Sequence, residues 1–192
     1  MKNLTNTSYN YSTGSVSYIC ESSASNNSLF EFIDTVKTFD LGRYSIYEIA
    51  NWFLSKEVMT QKKLQKLCYY AQAWYYTLNN LRLSDENFEA WIHGPVSPVL
   101  YDRFKNFGFS GIKLTGNYIS CIIEEDQNFL ERVWATYGEY TGNALEALSH
   151  SEPPWKEARI GYSNEERCKN IISLESMKKY FSSISVGSTE NG

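Results

Sequence analysis

Apolar residues recur every three or four positions along most of the chain, and this spacing predicts α-helices. The longest periodic segment, residues 61–79, follows Thr60, a residue type that commonly caps a helix N-terminus. One face of this predicted helix carries the apolar residues Leu64, Leu67, Cys68, Ala71, Trp74, Tyr75 and Leu78. Lys62, Lys63 and Lys66 fall outside that stripe, and we interpret them as the solvated side of the helix.

Start signals predict further helices on both sides of this one. Ser45 and Glu48 have the spacing of a capping box, and Ser97 precedes a proline, so a helix is expected to begin at each place. Four later helices are expected: one at 125–140 from its apolar periodicity, and three that begin at start signals, after Thr141, from Pro153 to about Arg159, and after Ser173.

A short extended segment interrupts the helical pattern. Residues 88–92 alternate at their start, where Glu89 lies between Phe88 and Ala90, and they stop at the turn-forming residues His93, Gly94 and Pro95. We predict a strand here that pairs with a second apolar segment at 118–123. The predicted fold class is mainly α: a compact helical domain with at most a short β-hairpin, plus a flexible N-terminal extension.

The N-terminal part of the chain differs in composition from the rest. Residues 1–28 are rich in Ser, Thr and Asn, and their only charged side chains are Lys2 and Glu21. Such a segment buries too little apolar surface to offset its chain entropy, so we predict disorder for 1–28. Residues 29–40 have helical periodicity. The predicted organisation is an extension at 1–43, a helical domain at 44–182 and a C-terminal tail at 183–192.

Deleting residues 1–28 is expected to leave the folded domain intact, because the segment lacks the apolar pattern that would tie it to a core. The melting temperature of the truncated protein should stay within a few degrees of that of the full chain. Thermal unfolding followed by circular dichroism measures this, and a collapse of soluble yield would contradict the prediction.

Charge and hydropathy narrow the class of partner. The formal net charge is −4, which argues against direct binding of nucleic acid, since duplex binding depends on cationic contacts to phosphates. No apolar run approaches the ~18 residues that span a bilayer, and the N-terminus lacks the apolar core of a secretory signal. We therefore expect a cytoplasmic protein without a membrane partner.

The cysteines and histidines give little support to metal or catalytic chemistry. The four cysteines are far apart in sequence and no C-x-x-C pair occurs, so we predict free thiols and no metal or cofactor. Cys68, His150 and Glu152 are the residues from which a hydrolase or transferase could be built. Cys68 lies within the apolar stripe of the longest helix, however, which is typical of a core residue. We therefore favour a protein without catalytic residues.

Aromatic residues are abundant, with 15 Tyr, 10 Phe and 5 Trp. Tyr69, Tyr70 and Tyr76 fall outside the apolar stripe of the longest helix, and this position suits either a second layer of core or a binding surface. The sequence alone leaves both alternatives open.

Four segments in order resemble one family, the Panacea domain of SocA-like antitoxins and GepA-like phage proteins. They are Leu64–Trp74 (LQKLCYYAQAW), Glu89–Tyr101 (EAWIHGPVSPVLY), Val133–Gly138 (VWATYG) and Leu148–Arg159 (LSHSEPPWKEAR). The resemblance extends over about 44–181. The departures are modest: Cys68 replaces an aliphatic residue, Ala73 a common Gly, and His93 a common aromatic or polar residue.

The resemblance implies a mainly helical, non-enzymatic antitoxin that binds and neutralises a cognate toxin protein of a bacterial or prophage toxin–antitoxin system. It also implies a role, known in at least one lineage, as an adaptor that delivers the toxin to an AAA+ protease. The alternative is a phage-encoded interaction module that inhibits a host defence or another host protein. The sequence leaves open whether the protein forms a homodimer. The partner-binding residues that we predict are Tyr69, Tyr70, Tyr76, Trp91, His93, Pro95, His150 and Glu152.

Overall fold

The computed structural model describes residues 42–115 and 118–187. The predicted disordered segment 1–28, the predicted helix 29–40 and Cys20 lie outside the described residues. Seven α-helices occur in the described part of the chain: α1 Ile46–Leu54, α2 Gln61–Asn79, α3 Pro98–Phe104, α4 Glu124–Tyr137, α5 Gly142–Ser151, α6 Pro153–Ala158 and α7 Leu174–Gly187. The strands are β1 Met59–Thr60, β2 Glu89–Trp91, β3 Gly94–Val96 and β4 Gly111–Ile112, and a 3₁₀ turn spans Lys105–Phe107.

Helix α2 is the centre of the domain. It packs against α1, α3, α4, α5, α7 and strand β3, so its whole circumference meets protein along most of its length. Thr60 caps its N-terminus, as predicted, because the Thr60 hydroxyl accepts a hydrogen bond from the Lys63 amide at 3.3 Å. Asn80 ends it in the left-handed conformation with φ 54°. The other elements are therefore arranged around one long helix.

Local capping signals predict the ends of the other helices well. Ser45 and Glu48 form the predicted capping box, and Ser97 caps α3 with Pro98 at its first position. Thr141 caps α5. Helix α7 continues to Gly187, however, so residues 183–187 belong to a helix rather than to the predicted tail. The Ser183 hydroxyl in this last part of the helix donates to the Tyr180 carbonyl at 2.6 Å.

The strands form two small antiparallel sheets. β2 pairs with β3 in a hairpin, and the predicted pairing of 88–92 with 118–123 is wrong because the described residues of 118–123 form no strand. Gly94, with φ 90°, turns the chain back at once, so the nearest segment supplies the partner strand. A second pair, β1 with β4, adds one sheet beyond the predicted hairpin.

The core is built largely from aromatic rings. Tyr70 stacks on Tyr137 with ring centroids 4.1 Å apart, and Tyr69 meets Phe88 edge-on at 5.7 Å. Trp74 contacts Phe181 at 4.9 Å and ties α2 to α7. The high aromatic content of the sequence is therefore used mainly for packing.

Candidate functional site

The polar side of α2 is buried, which corrects the interpretation of Lys62, Lys63 and Lys66 as a solvated face. Lys63 and Lys66 are buried and Lys62 is half-buried. Lys63 reaches Glu57 and the Gly138 carbonyl with its ammonium group. A lysine-rich face can be buried in this way because backbone carbonyls and a carboxylate of other elements take up the donors.

Glutamines on the same side of α2 hold distant backbone in place. The Gln65 amide exchanges two hydrogen bonds with the backbone of Ser97, at 3.1 Å and 2.8 Å. Gln72 accepts from the Ser84 amide at 2.7 Å. These bonds fix the end of the β2–β3 hairpin and the loop after α2, so the polar face of α2 orders the segments that surround the site.

Lys66 lies beneath the hairpin and is only 1% exposed. Its ammonium donates a hydrogen bond to the Pro95 carbonyl at 3.0 Å. Among the described residues it has no ion pair within 4.0 Å. Burial lowers the pKa of Lys66 to about 7, against the opposing influence of Glu146.

Gly94 allows the hairpin to approach Lys66 closely. A Cβ atom at this position would lie 2.6 Å from the Lys66 Cε and 2.9 Å from the Ser149 Oγ. The positive φ of 90° also disfavours other residues here. The Gly-Pro dipeptide thus sets the distance between the hairpin and the buried ammonium.

A groove of about 460 Å³ opens above Lys66, and its lining is mostly apolar. It runs between the N-terminal half of α2, the hairpin, the region around α3 and the N-terminal end of α5. Its lining residues are Thr60, Gln61, Lys62, Gln65, Lys66, Trp91, His93, Val96, Tyr101, Gly108, Phe109, Thr141, Gly142 and Asn143. A groove of this size and character is typical of a binding site.

Aromatic residues form the walls and rim of the groove. Trp91 contacts Tyr101 with ring centroids 4.9 Å apart. Phe109 is 97% exposed, an unusual position for a phenylalanine. Large apolar side chains exposed beside a groove are characteristic of surfaces that bind another molecule.

Charged residues form one edge of the groove. Glu146 pairs with Lys62 at 2.5 Å and with His93 at 2.9 Å, and Lys62 also donates to the Asn143 side chain at 2.9 Å. Burial opposes the ionisation of Glu146, but the hydrogen bonds from Lys62 and His93 bring its pKa below the usual value. This carboxylate is therefore charged and already engaged.

Two of the predicted partner-binding residues are core residues. Tyr69 and Tyr70 are fully buried, so neither ring is available to a partner on this surface. The Tyr70 hydroxyl donates to Glu152 at 3.2 Å. Glu152 is itself buried, its second carboxylate oxygen has no hydrogen-bond partner, and burial raises its pKa to about 7. This pair forms an internal polar contact between α2 and the start of α6.

His150 also has a structural position. Its ring stacks on Trp155 at 4.0 Å, and burial lowers its pKa. Trp155 donates to the Trp91 carbonyl at 3.0 Å, and Arg159 donates to the Ala90 carbonyl at 2.8 Å. The segment from His150 to Arg159 therefore holds the hairpin from behind.

The arrangement does not form a nucleophile–base pair. No hydrogen bond joins His150 to Cys68 within the described part of the chain, and burial raises the pKa of the Cys68 thiol. The three cysteines in the described part of the chain are free thiols, as predicted. The described residues contain no cluster of ligands suited to a metal ion. None of the helices in the described ranges is both long and apolar enough to cross a membrane.

The groove unites three of the predicted partner-binding residues. Trp91 and His93 line it, and Pro95 binds the lysine at its floor. Tyr76 lies elsewhere, donating to Glu175 of α7 at 2.8 Å. Two residues of the groove, Lys66 and Phe109, were not among the predicted partner-binding residues. The hydropathy pattern assigns Lys66 to solvent and so gives no indication of its position. For Phe109, the one indication in the sequence is an isolated apolar residue among Gly and Ser.

Residues 64–156 match the family described as "Antitoxin SocA-like, Panacea domain". The chain is 34% identical over 124 residues to "Antitoxin SocA" of Caulobacter vibrioides (strain NA1000 / CB15N), covering 56% of this chain. It spans 66% of that relative's length, just under two thirds. No solved structure is significantly similar to the chain. The β2–β3 hairpin and Lys66 lie inside the matched region, so this part of the chain is similar to SocA-like Panacea domains.

Proposed function

We propose that this protein is a non-enzymatic antitoxin that binds a toxin protein and keeps it inactive. The observation that carries the proposal is the aromatic-rimmed groove, in which Trp91, Tyr101 and Phe109 present apolar surface beside a charged edge. Aromatic side chains supply much of the binding energy at protein interfaces, and a groove concentrates them. The similarity to a protein named Antitoxin SocA supports a toxin as the partner.

The contacts of Cys68, His150 and Glu152, the residues from which an enzyme could be built, favour binding over turnover. Cys68 is in the core, His150 stacks on Trp155, and Glu152 accepts from Tyr70. Each of these contacts serves packing. A role as an adaptor towards an AAA+ protease is a further part of the proposal, drawn from the family resemblance.

Replacing Phe109 by Ser is expected to abolish neutralisation of the toxin without loss of fold. Phe109 is 97% exposed, so the domain does not depend on its burial. Truncating a central aromatic contact costs an interface about 2 kcal/mol or more, which is about thirtyfold in Kd. Growth rescue on co-expression with the neighbouring open reading frame, together with co-purification, measures the effect.

The matched control is Ile160→Ser, which removes an apolar side chain that is 78% exposed and lies outside the groove lining. This variant should rescue growth like the unmodified protein. Equal rescue by both variants would show that the groove does not bind the toxin. A harmless neighbouring gene product with no co-purifying partner would contradict the antitoxin role and leave inhibition of a host protein as the better explanation.

A further inference from the structure

We infer that the groove binds an acidic side chain, Asp or Glu, that lies next to an apolar residue on the partner protein, with Lys66 as the anchor for the carboxylate. The inference rests on the proposed function, because it names the chemistry of the partner that the groove takes. Three features of the groove carry it: the buried ammonium, the charges around it and the aromatic rim.

The first feature is the incomplete pairing of the Lys66 ammonium. The group has three donors, and the Pro95 carbonyl takes one of them. No carboxylate of the described residues lies within ion-pairing distance, although Lys66 is only 1% exposed. A buried ammonium without a counter-ion is costly, and a carboxylate that pairs with it offsets part of that cost.

The second feature is the charge distribution around Lys66. Lys62, a second lysine, lines the same groove. The nearby Glu146 carboxylate is held by Lys62 and His93. The N-terminal end of α5 also lines the groove, and the positive end of its helix dipole adds to the attraction for an anion.

The third feature is the apolar rim, which selects a carboxylate in an apolar context. A carboxylate that reaches Lys66 passes Trp91 and Tyr101, whose rings lower the local dielectric and strengthen the ion pair. Phe109 offers a contact for the neighbouring residue of the partner. A single ammonium at the floor of a groove suits a projecting side chain. A chain terminus is usually bound by several backbone amides in a nest.

The test uses the full chain and three peptides that differ only in the placement of a carboxylate. Acetyl-Phe-Glu-Phe-amide carries an acidic side chain, acetyl-Phe-Gln-Phe-amide is its neutral match, and acetyl-Phe-Gln-Phe with a free carboxyl end carries a terminal charge. Titration followed by protein NMR gives each Kd and maps the contact. The Glu peptide is expected to bind about tenfold or more tightly than its Gln match, with shift changes at Trp91 and Phe109.

Three variants attribute the preference to Lys66. Lys66→Met should remove the preference for the Glu peptide, whereas Lys179→Met, at an exposed position on α7, should keep it. Phe109→Ser should weaken the binding of the Glu and Gln peptides by a similar factor, so the ratio of their Kd values should stay the same. If Lys66→Met fails to fold, the Glu-to-Gln affinity ratio of the unmodified protein still decides the test, and Phe109→Ser, at an exposed position, still locates binding to the groove.

Equal affinity for the Glu and Gln peptides, binding of neither, or tighter binding of the free-carboxyl peptide than of the Glu peptide would each overturn the inference. The antitoxin proposal would survive those results if Phe109→Ser still abolished growth rescue. Conversely, a clear Glu preference with full rescue by Phe109→Ser would contradict the assignment of this groove to the toxin. The two failures are therefore distinguishable.

Discussion

Glu152→Gln is expected to raise the free energy of unfolding above that of the parent protein at neutral and alkaline pH. Under acid conditions this gain over the parent should be absent. Burial raises the pKa of the Glu152 carboxyl from 4.5 to about 7 in the folded protein. As the pH rises through this interval, the unfolded chain releases its proton first, so the free energy of unfolding falls. A rise of this size corresponds to about 3 kcal/mol once the pH exceeds the folded pKa.

The measurement is the difference in unfolding free energy between variant and parent, obtained from urea titrations at about pH 4 and about pH 8. Gln preserves an oxygen that accepts from the Tyr70 hydroxyl, and it cannot ionise. The difference should grow by about 3 kcal/mol between the two conditions. Glu139→Gln, at an exposed position, should show no such growth. An unchanged difference at the two pH values would show that Glu152 ionises normally in the folded protein.

Helix positions could be predicted because their signals are local. The hydroxyl of Thr60, the Ser45–Glu48 pair and the Ser97-Pro98 start each act within one turn of the chain, and all three are present in the structure. The partner of the strand at 88–92 was predicted wrongly because a local sequence pattern can identify a strand but not the segment with which it pairs. The close turn at Gly94 decides the pairing.

The burial of the polar side of α2 could not be predicted from periodicity. An amphipathic pattern assigns the polar face to solvent, and it has no means of anticipating acceptors that come from distant segments. Lys66 bonds to Pro95 and Gln65 bonds to Ser97, each about thirty residues away in sequence. The burial of Tyr69 and Tyr70 was equally unpredictable from periodicity, because these rings pack against a second layer of core that other segments of the chain supply.

The candidate site was predictable in part for a related reason. The sequence indicates the turn after Trp91 as a candidate binding element because Pro95 is rigid and Trp91 is aromatic. The groove itself needs α2, α3 and α5 to converge on that turn, and this depends on tertiary packing. Phe109 can be recognised as a candidate contact residue only when the groove beside it is known.

Leu67→Ala is expected to destabilise the domain by about 2–5 kcal/mol, because the side chain is fully buried at the centre of α2. The helix is surrounded on all sides, so its neighbours have little room to collapse into the cavity. Urea denaturation monitored by circular dichroism gives the change in midpoint. Leu78→Ala, which truncates a leucine that is 57% exposed on the same helix, should shift the midpoint only within the surface range of about 0.5 kcal/mol.

Trp74→Ala completes this comparison, since Trp74 is half-buried. Its ring contacts Phe181 at 4.9 Å, and its indole donates to the Tyr137 hydroxyl at 2.9 Å. Loss of the ring removes packing between α2 and α7 and leaves that hydroxyl without its donor. We therefore expect a destabilisation near the lower end of the ~3–5 kcal/mol found for buried tryptophans. A loss below about 1 kcal/mol would mean that the α2–α7 contact contributes little to folding and that Trp74 is available for binding.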